Sequence, residues 1–112
     1  MNKFDRLRKN TEFATVCRFG RRWSSPFFNM YVKKNHLGNI RLGVSVSKRV
    51  GNSVVRNKNK RRLKEAFRHQ LDHLTPGFDA VITAKPQINN IDYFIISKEL
   101  VKLLKRSRLW HD

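Results

Sequence analysis

Between Phe27 and Lys34 side chains alternate along the chain, with Phe28, Met30 and Val32 on one face and Phe27, Asn29, Tyr31 and Lys33 on the other. This period of two predicts a β-strand with one core face. Ile40 to Val46, IRLGVSV, predicts a second strand, in which Gly43 marks a bulge or a close approach to the backbone. Phe78 to Ala84, FDAVITA, is nearly continuously apolar at its centre and predicts a strand internal to the sheet. Other stretches follow helical spacing. One has Asn10 as N-cap, stops at Gly20, and puts Phe13, Val16 and Cys17 on one side. A last helix, roughly Ile91 to Arg106 with Asn90 as cap, draws its apolar side from Phe94, Ile95, Leu100, Val101, Leu103 and Leu104. Residues 1–10 read as a basic arm, packed loosely through Phe4 and Leu7, and Arg21 to Pro26 as a basic loop.

The remaining stretch, Lys48 to Arg68, KRVGNSVVRNKNKRRLKEAFR, leads from the second strand into a helix. Gly51 is expected to take the positive φ of a tight turn, and Asn52 or Ser53 to cap the first amides. At about 100° per residue, Val55, Leu63, Ala66 and Phe67 fall on one side, with Asn59 and Gln70 among them. Asn57, Lys60, Arg61, Lys64 and Arg68 share a neighbouring face, Arg56 lies at its margin, and Lys58, Arg62 and His69 point a third way. Cations in the first turn oppose the helix dipole, and pairs such as Lys60 with Lys64 cost about 0.2–0.5 kcal/mol each. A helix that accumulates such costs is offset by an anion outside it. No internal repeat or linker interrupts the chain, so the order of elements reads as one α+β domain over 1–112, with three helices covering one face of a small mixed sheet of about four strands.

Charge sharpens this picture. The 112 residues carry 25 Lys and Arg against 8 Asp and Glu, a net charge of +17. Nucleic acid is the leading partner class, with an anionic membrane surface as the other. No apolar run approaches a membrane span and the N-terminus lacks a signal-peptide core, so a soluble, intracellular, cytoplasmic protein is expected. One cysteine, Cys17, forbids an internal disulfide and reads as a small buried hydrophobe. His69 and His73 stand four apart, but only Asp72 lies near them, which is thin for a metal site. The acids are too dispersed for two-metal phosphodiester chemistry, and no nucleotide-binding loop or zinc-protease motif is present. The residues argue for binding. The polar-aromatic face bearing Tyr31 and Phe27 suits base stacking, although on these residues alone the edge of an ordinary core is the better explanation.

Lys48 to Glu65, KRVGNSVVRNKNKRRLKE, resembles the signature of the bacterial ribonuclease P protein component. The resemblance extends through Leu7 to Asn10, Glu12-Phe13, Gly20, Phe28 to Tyr31, Arg41 to Ser47 and Asp79 to Pro86, nearly the whole chain. It implies a small αβ sandwich similar to ribosomal protein S5 domain 2, with a left-handed βαβ crossover. It implies a protein that joins a catalytic RNA to remove the 5′ leader of precursor tRNA, the RNA holding the Mg²⁺ ions, with no membrane or protein partner required. Carried over by position, Arg56, Asn57, Lys60, Arg61 and Lys64 are expected against the catalytic RNA, and Arg62 and Arg68 either share that contact or serve a second face. Phe13 and Tyr31 match cleft aromatics that receive the leader, and Lys48, Arg49 and Asn52 match the loop near substrate and metal. No catalytic or metal-binding side chain is expected in this chain. Four positions depart from the pattern. Cys17 stands for a second cleft aromatic, Ser53 for an Ala, Lys58 for an Arg, and Asn59 for a buried aliphatic that would need no hydrogen-bond partner. A structural RNA binder of the ribosomal type needs only the basic faces; a DNA-binding module or self-sufficient nuclease fits the sequence poorly.

Overall fold

The computed structural model describes residues 3–111 and sets the apolar run Phe78–Ala84 in the middle of a mixed sheet. Met1 and Asn2 of the basic arm and Asp112 among the acids lie outside the described residues. In chain order the elements are β1 (Asp5–Arg6), α1 (Asn10–Phe19), β2 (Arg21–Ser24), β3 (Phe28–Lys34), β4 (Ile40–Ser45), α2 (Ser53–Arg68), β5 (Phe78–Ala84) and α3 (Tyr93–Arg106). Single 3₁₀ segments follow α2 and β5. The strands are ordered β1-β4-β5-β3-β2. β5 runs parallel to β4 and antiparallel to β3, so β4, α2 and β5 form a βαβ unit.

The sheet has five strands where the hydrophobic pattern predicts about four. The additional pairings lie at the edges. Asp5–Arg6 pairs parallel with Arg41–Leu42, inside the stretch read as a loose arm. Arg21–Ser24 pairs antiparallel with Asn29–Val32, inside the stretch read as a loop. Edge strands face water and carry charge that discourages further pairing, so neither shows apolar alternation.

Helices cover both faces, not one. Ala80 and Ile82 point toward α2 and α3 and join Phe28, Met30, Leu42, Val44, Leu63, Ala66, Phe67, Ile96, Leu100 and Leu104 in the main core. Full burial of each larger side chain contributes roughly 1.5–3 kcal/mol. Val81 points the other way and meets Leu7 and Val16, with Phe13, Cys17 and Tyr31 packed around them. Tyr31 and Gly43 are the register partners of Val81, so α1 lies across three adjacent strands. Gly43 is where the backbone and a ring meet: an added Cβ would stand 2.5 Å from the Phe13 ring.

Several local expectations shift. Gly51 does not have positive φ; its lack of a side chain makes room for Val55, whose methyl would lie 2.7 Å from an added Cβ. Asn52, not Ser53, caps α2, its Oδ1 accepting from the Val55 amide at 3.0 Å. α1 begins at Asn10 itself, and Glu12 reaches back so that Oε1 accepts from the Arg8 and Lys9 amides. α3 is capped by Asp92, not Asn90, which closes a 3₁₀ segment. It buries Ile96, Leu100, Leu103 and Leu104, while Phe94 is 71% exposed.

One polar cluster fixes α1 to the sheet. Arg41 Nε and Nη2 donate to the two oxygens of Asp79 at 2.8 and 2.7 Å, and Nη1 donates to Glu12 Oε2 at 3.1 Å. Asn35 Nδ2 donates to the same Asp79 at 2.9 Å. Burial alone would raise the Asp79 carboxyl; donation from Arg41 and Asn35 outweighs it and holds the group below its ordinary value. A carboxylate depressed in the fold stabilises above its unfolded pKa and loses that contribution as pH falls through the folded value. Asp79→Asn is therefore expected to cost about 2–4 kcal/mol in urea unfolding at neutral pH. The difference from the parent should shrink below about pH 4.

Candidate nucleic-acid interface

α2 forms because Ser53 to Arg68 contains no Gly or Pro and is rich in helix-favouring Lys, Arg, Leu, Glu and Ala. Its apolar stripe anchors it: Leu63, Ala66 and Phe67 are fully buried, and Val55 is partly so. This leaves Asn57, Lys58 and Arg61 exposed and Lys60 and Lys64 half-buried. The two lysines line a cleft of about 380 Å³ at the edge of β4, together with Arg6, Arg8, Phe13 and Gly43. Burial pushes the Lys64 ammonium below its ordinary range, and Arg6 and Lys60 push it further the same way. No carboxylate lines this cleft among the described residues.

The acids are engaged elsewhere. Glu12 and Asp79 hold Arg41, and Asp5 accepts from Asn39 Nδ2 at 2.8 Å. Asp92 caps α3, Glu99 pairs with Lys102 at 3.1 Å, and Glu65 pairs with Arg68 and His69. The cations on α2 that face the cleft therefore crowd one another, an arrangement suited to a polyanion.

The expected residues do not all converge. Phe13 joins Lys60 and Lys64 at the cleft, so the aromatic helix and the basic helix meet across β4. Tyr31 lies on the same sheet face as Phe13, half-buried in the cluster around Val81. Lys48, Arg49 and Asn52 are exposed on the loop that enters α2. Arg56 is half-buried, and its Nε is enclosed without a hydrogen-bond acceptor among the described residues. Arg68 is drawn to Glu65. Cys17, on α1, is half-buried against the cluster around Val81, and burial pushes its thiol upward. Arg6 and Arg8 are also cleft residues, although side-chain pattern alone puts them in a loose arm. The run of cations before Asn10 was the available signal, and β1 pairing is what brings it beside Lys64.

Arg62 has an internal role. Asn59, 1% exposed, donates from Nδ2 to Asn89 Oδ1 at 2.9 Å and accepts at Oδ1 from Arg62 Nη1 at 3.1 Å. Arg62 Nη2 donates to the Ile91 carbonyl, and Asn89 Nδ2 donates to the Val50 carbonyl at 2.6 Å. This chain of bonds supplies the partner that a buried Asn in place of an aliphatic requires. It also ties the loop before α2 to the segment before α3. His69 and His73 are engaged separately: Tyr93 Oη lies 3.0 Å from His69 Nδ1, and His73 stacks on Trp110 at 4.3 Å. Among the described residues no three His, Cys, Asp or Glu gather as metal ligands. No helix is long and apolar enough to cross a membrane among those residues.

Comparison with known proteins agrees with the motif. A family model described as Ribonuclease P matches residues 1–108. A Clostridium botulinum (strain 657 / Type Ba4) ribonuclease P protein component is 44% identical over 110 residues, covering 97% of this chain and 99% of that one. The solved Staphylococcus aureus RNase P protein superposes with a TM-score of 0.87 at 30% identity, covering 97% and 100% of the two chains. The RNase P protein from Thermotoga maritima gives 0.82 at 29% identity, covering 91% and 96%.

Asn89→Ala is expected to cost roughly 1–3 kcal/mol, because it strands the Val50 carbonyl and the Asn59 amide. Combined with Asn59→Leu, the total loss should fall short of the sum of the single losses, as a double-mutant cycle of urea midpoints would reveal.

Proposed function

The chain belongs to the Ribonuclease P protein family, and on that premise we propose that it is the RNA-binding subunit of a ribonuclease P that removes the 5′ leader of precursor tRNA. Family membership makes it part of a ribonucleoprotein endoribonuclease of tRNA processing. The observation that carries the finer reading is the uncompensated cation crowding at Lys60 and Lys64, beside the ring of Phe13. In this reading Arg56, Asn57, Lys60, Arg61 and Lys64 neutralise phosphates of the catalytic RNA. Phe13 and Tyr31, with Lys48, Arg49 and Asn52, receive the single-stranded leader of the precursor tRNA. Arg68 contributes after exchange from Glu65, and Arg62 acts by holding Asn59.

Hydrolysis belongs to the RNA partner in this reading, as do the Mg²⁺ ions it requires. Mg²⁺ prefers several hard oxygen ligands, and the cleft offers ammonium and guanidinium groups instead. The cleft therefore does not fit a protein-held Mg²⁺. The protein's work is electrostatic and positional: it screens phosphate repulsion and aligns the leader. The S5 domain 2-like description and a left-handed β4–α2–β5 crossover belong to the same reading, supported by the parallel β4–β5 pair joined through α2.

The test is cleavage of a leader-bearing precursor tRNA by a bacterial ribonuclease P RNA at low Mg²⁺, with and without this chain. Rescue of accurate cleavage is expected, with no activity from the protein alone. Failure to rescue, with tight binding to another structured RNA, would favour a ribosomal-type binder. Arg61→Ala should lower the salt dependence of assembly by about one phosphate contact while leaving the melting temperature nearly unchanged. Phe13→Ala or Tyr31→Ala should weaken binding of leader-bearing substrate by about fivefold or more relative to leaderless substrate.

A further inference from the structure

We propose that a groove at the β2 edge, on the sheet face that carries α3, is a second binding surface for single-stranded RNA. The groove encloses about 550 Å³ between β2, the end of β3, the turn at Thr75–Phe78 and the tail after α3. Phe19 and Trp23 line it, with Arg21, Lys34 and Arg108 as cations and Leu109 among its apolar residues. No carboxylate lines it among the described residues.

Phe19 is 68% exposed and joins neither core cluster. Its ring is therefore open to a flat partner from solvent. Each ring already has a cation beside it: the Arg18 guanidinium lies 5.4 Å from the Phe19 ring centre and that of Arg21 5.4 Å from Trp23. Rings interleaved with cations that have no acid partner among the described residues match what a single strand presents, flat bases alternating with phosphates. A duplex would hide its base faces. A second copy of this chain would bring another +17 charges to a cationic groove. Trp23 and Val32 pack toward the main core, whereas Phe13 and Tyr31 pack around Val81, so this groove and the aromatic cleft lie on opposite sheet faces and both can be filled at once.

The experiment uses the free full-length chain in a Trp110→Phe background, leaving Trp23 as its one tryptophan. It is titrated with a fluorescein-labelled oligouridylate of about twelve nucleotides, following Trp23 emission and label anisotropy together. Quenching of Trp23 that saturates with the anisotropy is expected. Phe19→Ser should weaken that binding several-fold. Arg21→Gln and Lys34→Gln should each reduce the slope of log K against log salt by about 0.7. Phe13→Ala with Tyr31→Ala should leave the Trp23 response in place. The proposal is overturned if Trp23 emission stays constant at saturating RNA, or if the slope is unchanged in both Gln variants. Loss of the response in the Phe13/Tyr31 variant would also sink it, by returning binding to the other face. So would quenching by phosphatidylglycerol vesicles without quenching by RNA, which would make the groove a membrane surface. Cleavage is not part of this readout, so failure here leaves the subunit reading to its own test.

Discussion

The guanidinium of Arg41 lies between two carboxylates, Asp79 beside it in β5 and Glu12 at the start of α1. Asp79 is almost wholly buried, and a buried charge left alone is among the costliest defects a fold can carry. The bidentate contact satisfies it, and Arg41 is its register partner in the parallel ladder, so the pair forms only when β4 and β5 are aligned. Glu12 extends the same contact to the helix, while its other oxygen organises the Arg8 and Lys9 amides. The placement of α1 over Val81 and Gly43, and hence of Phe13 at the cleft, follows from this one group of charges.

The same arrangement helps keep the cleft free of carboxylates among the described residues. Glu12 and Asp79 hold Arg41, Asp92 caps α3, Glu65 pairs with Arg68 and His69, and Glu99 pairs with Lys102. Among the remaining cations, Lys60 and Lys64 on α2 and Arg6 on β1 crowd one another at that cleft. Each like-charge pair costs only a fraction of a kcal/mol, too little to unfold a helix anchored by Leu63, Ala66 and Phe67. The hydrophobic stripe thus permits an electrostatic arrangement that an isolated helix would not tolerate.

Much of this was legible in the sequence because α2, β3, β4 and β5 have strong periodicity. Gly43 announced a close approach, and Phe13 proved to be what approaches. The edges were illegible for a physical reason: Asp5–Arg6 and Arg21–Ser24 are held by backbone pairing, which leaves no mark on side-chain pattern. Phe94 misled because an exposed aromatic looks like a core residue until its neighbours are known. Asn59 looked anomalous until Asn89, thirty positions away, supplied its partner. Arg62 shared the charge of its neighbours but not their direction, a distinction that only the position of Ile91 and Asn59 settles. An assignment of RNA contacts to particular residues comes only from the resemblance, since charge identifies a class of partner and not a point of contact.

The strand order has a consequence for how the chain comes to be folded. β3 and β4 have no ladder with each other; both pair with β5, which is the last strand to be synthesised. Until residues 78–84 arrive, the first two-thirds of the molecule can form local pieces, such as the β2–β3 hairpin and α2, but cannot close its sheet. Closing the sheet is therefore a non-local step, and topologies of that kind fold slowly compared with helical bundles of similar size. During that interval the unfinished chain exposes apolar strand faces and the most basic helix together. Its survival in that state depends on the speed with which one seven-residue strand is threaded between two that are already waiting.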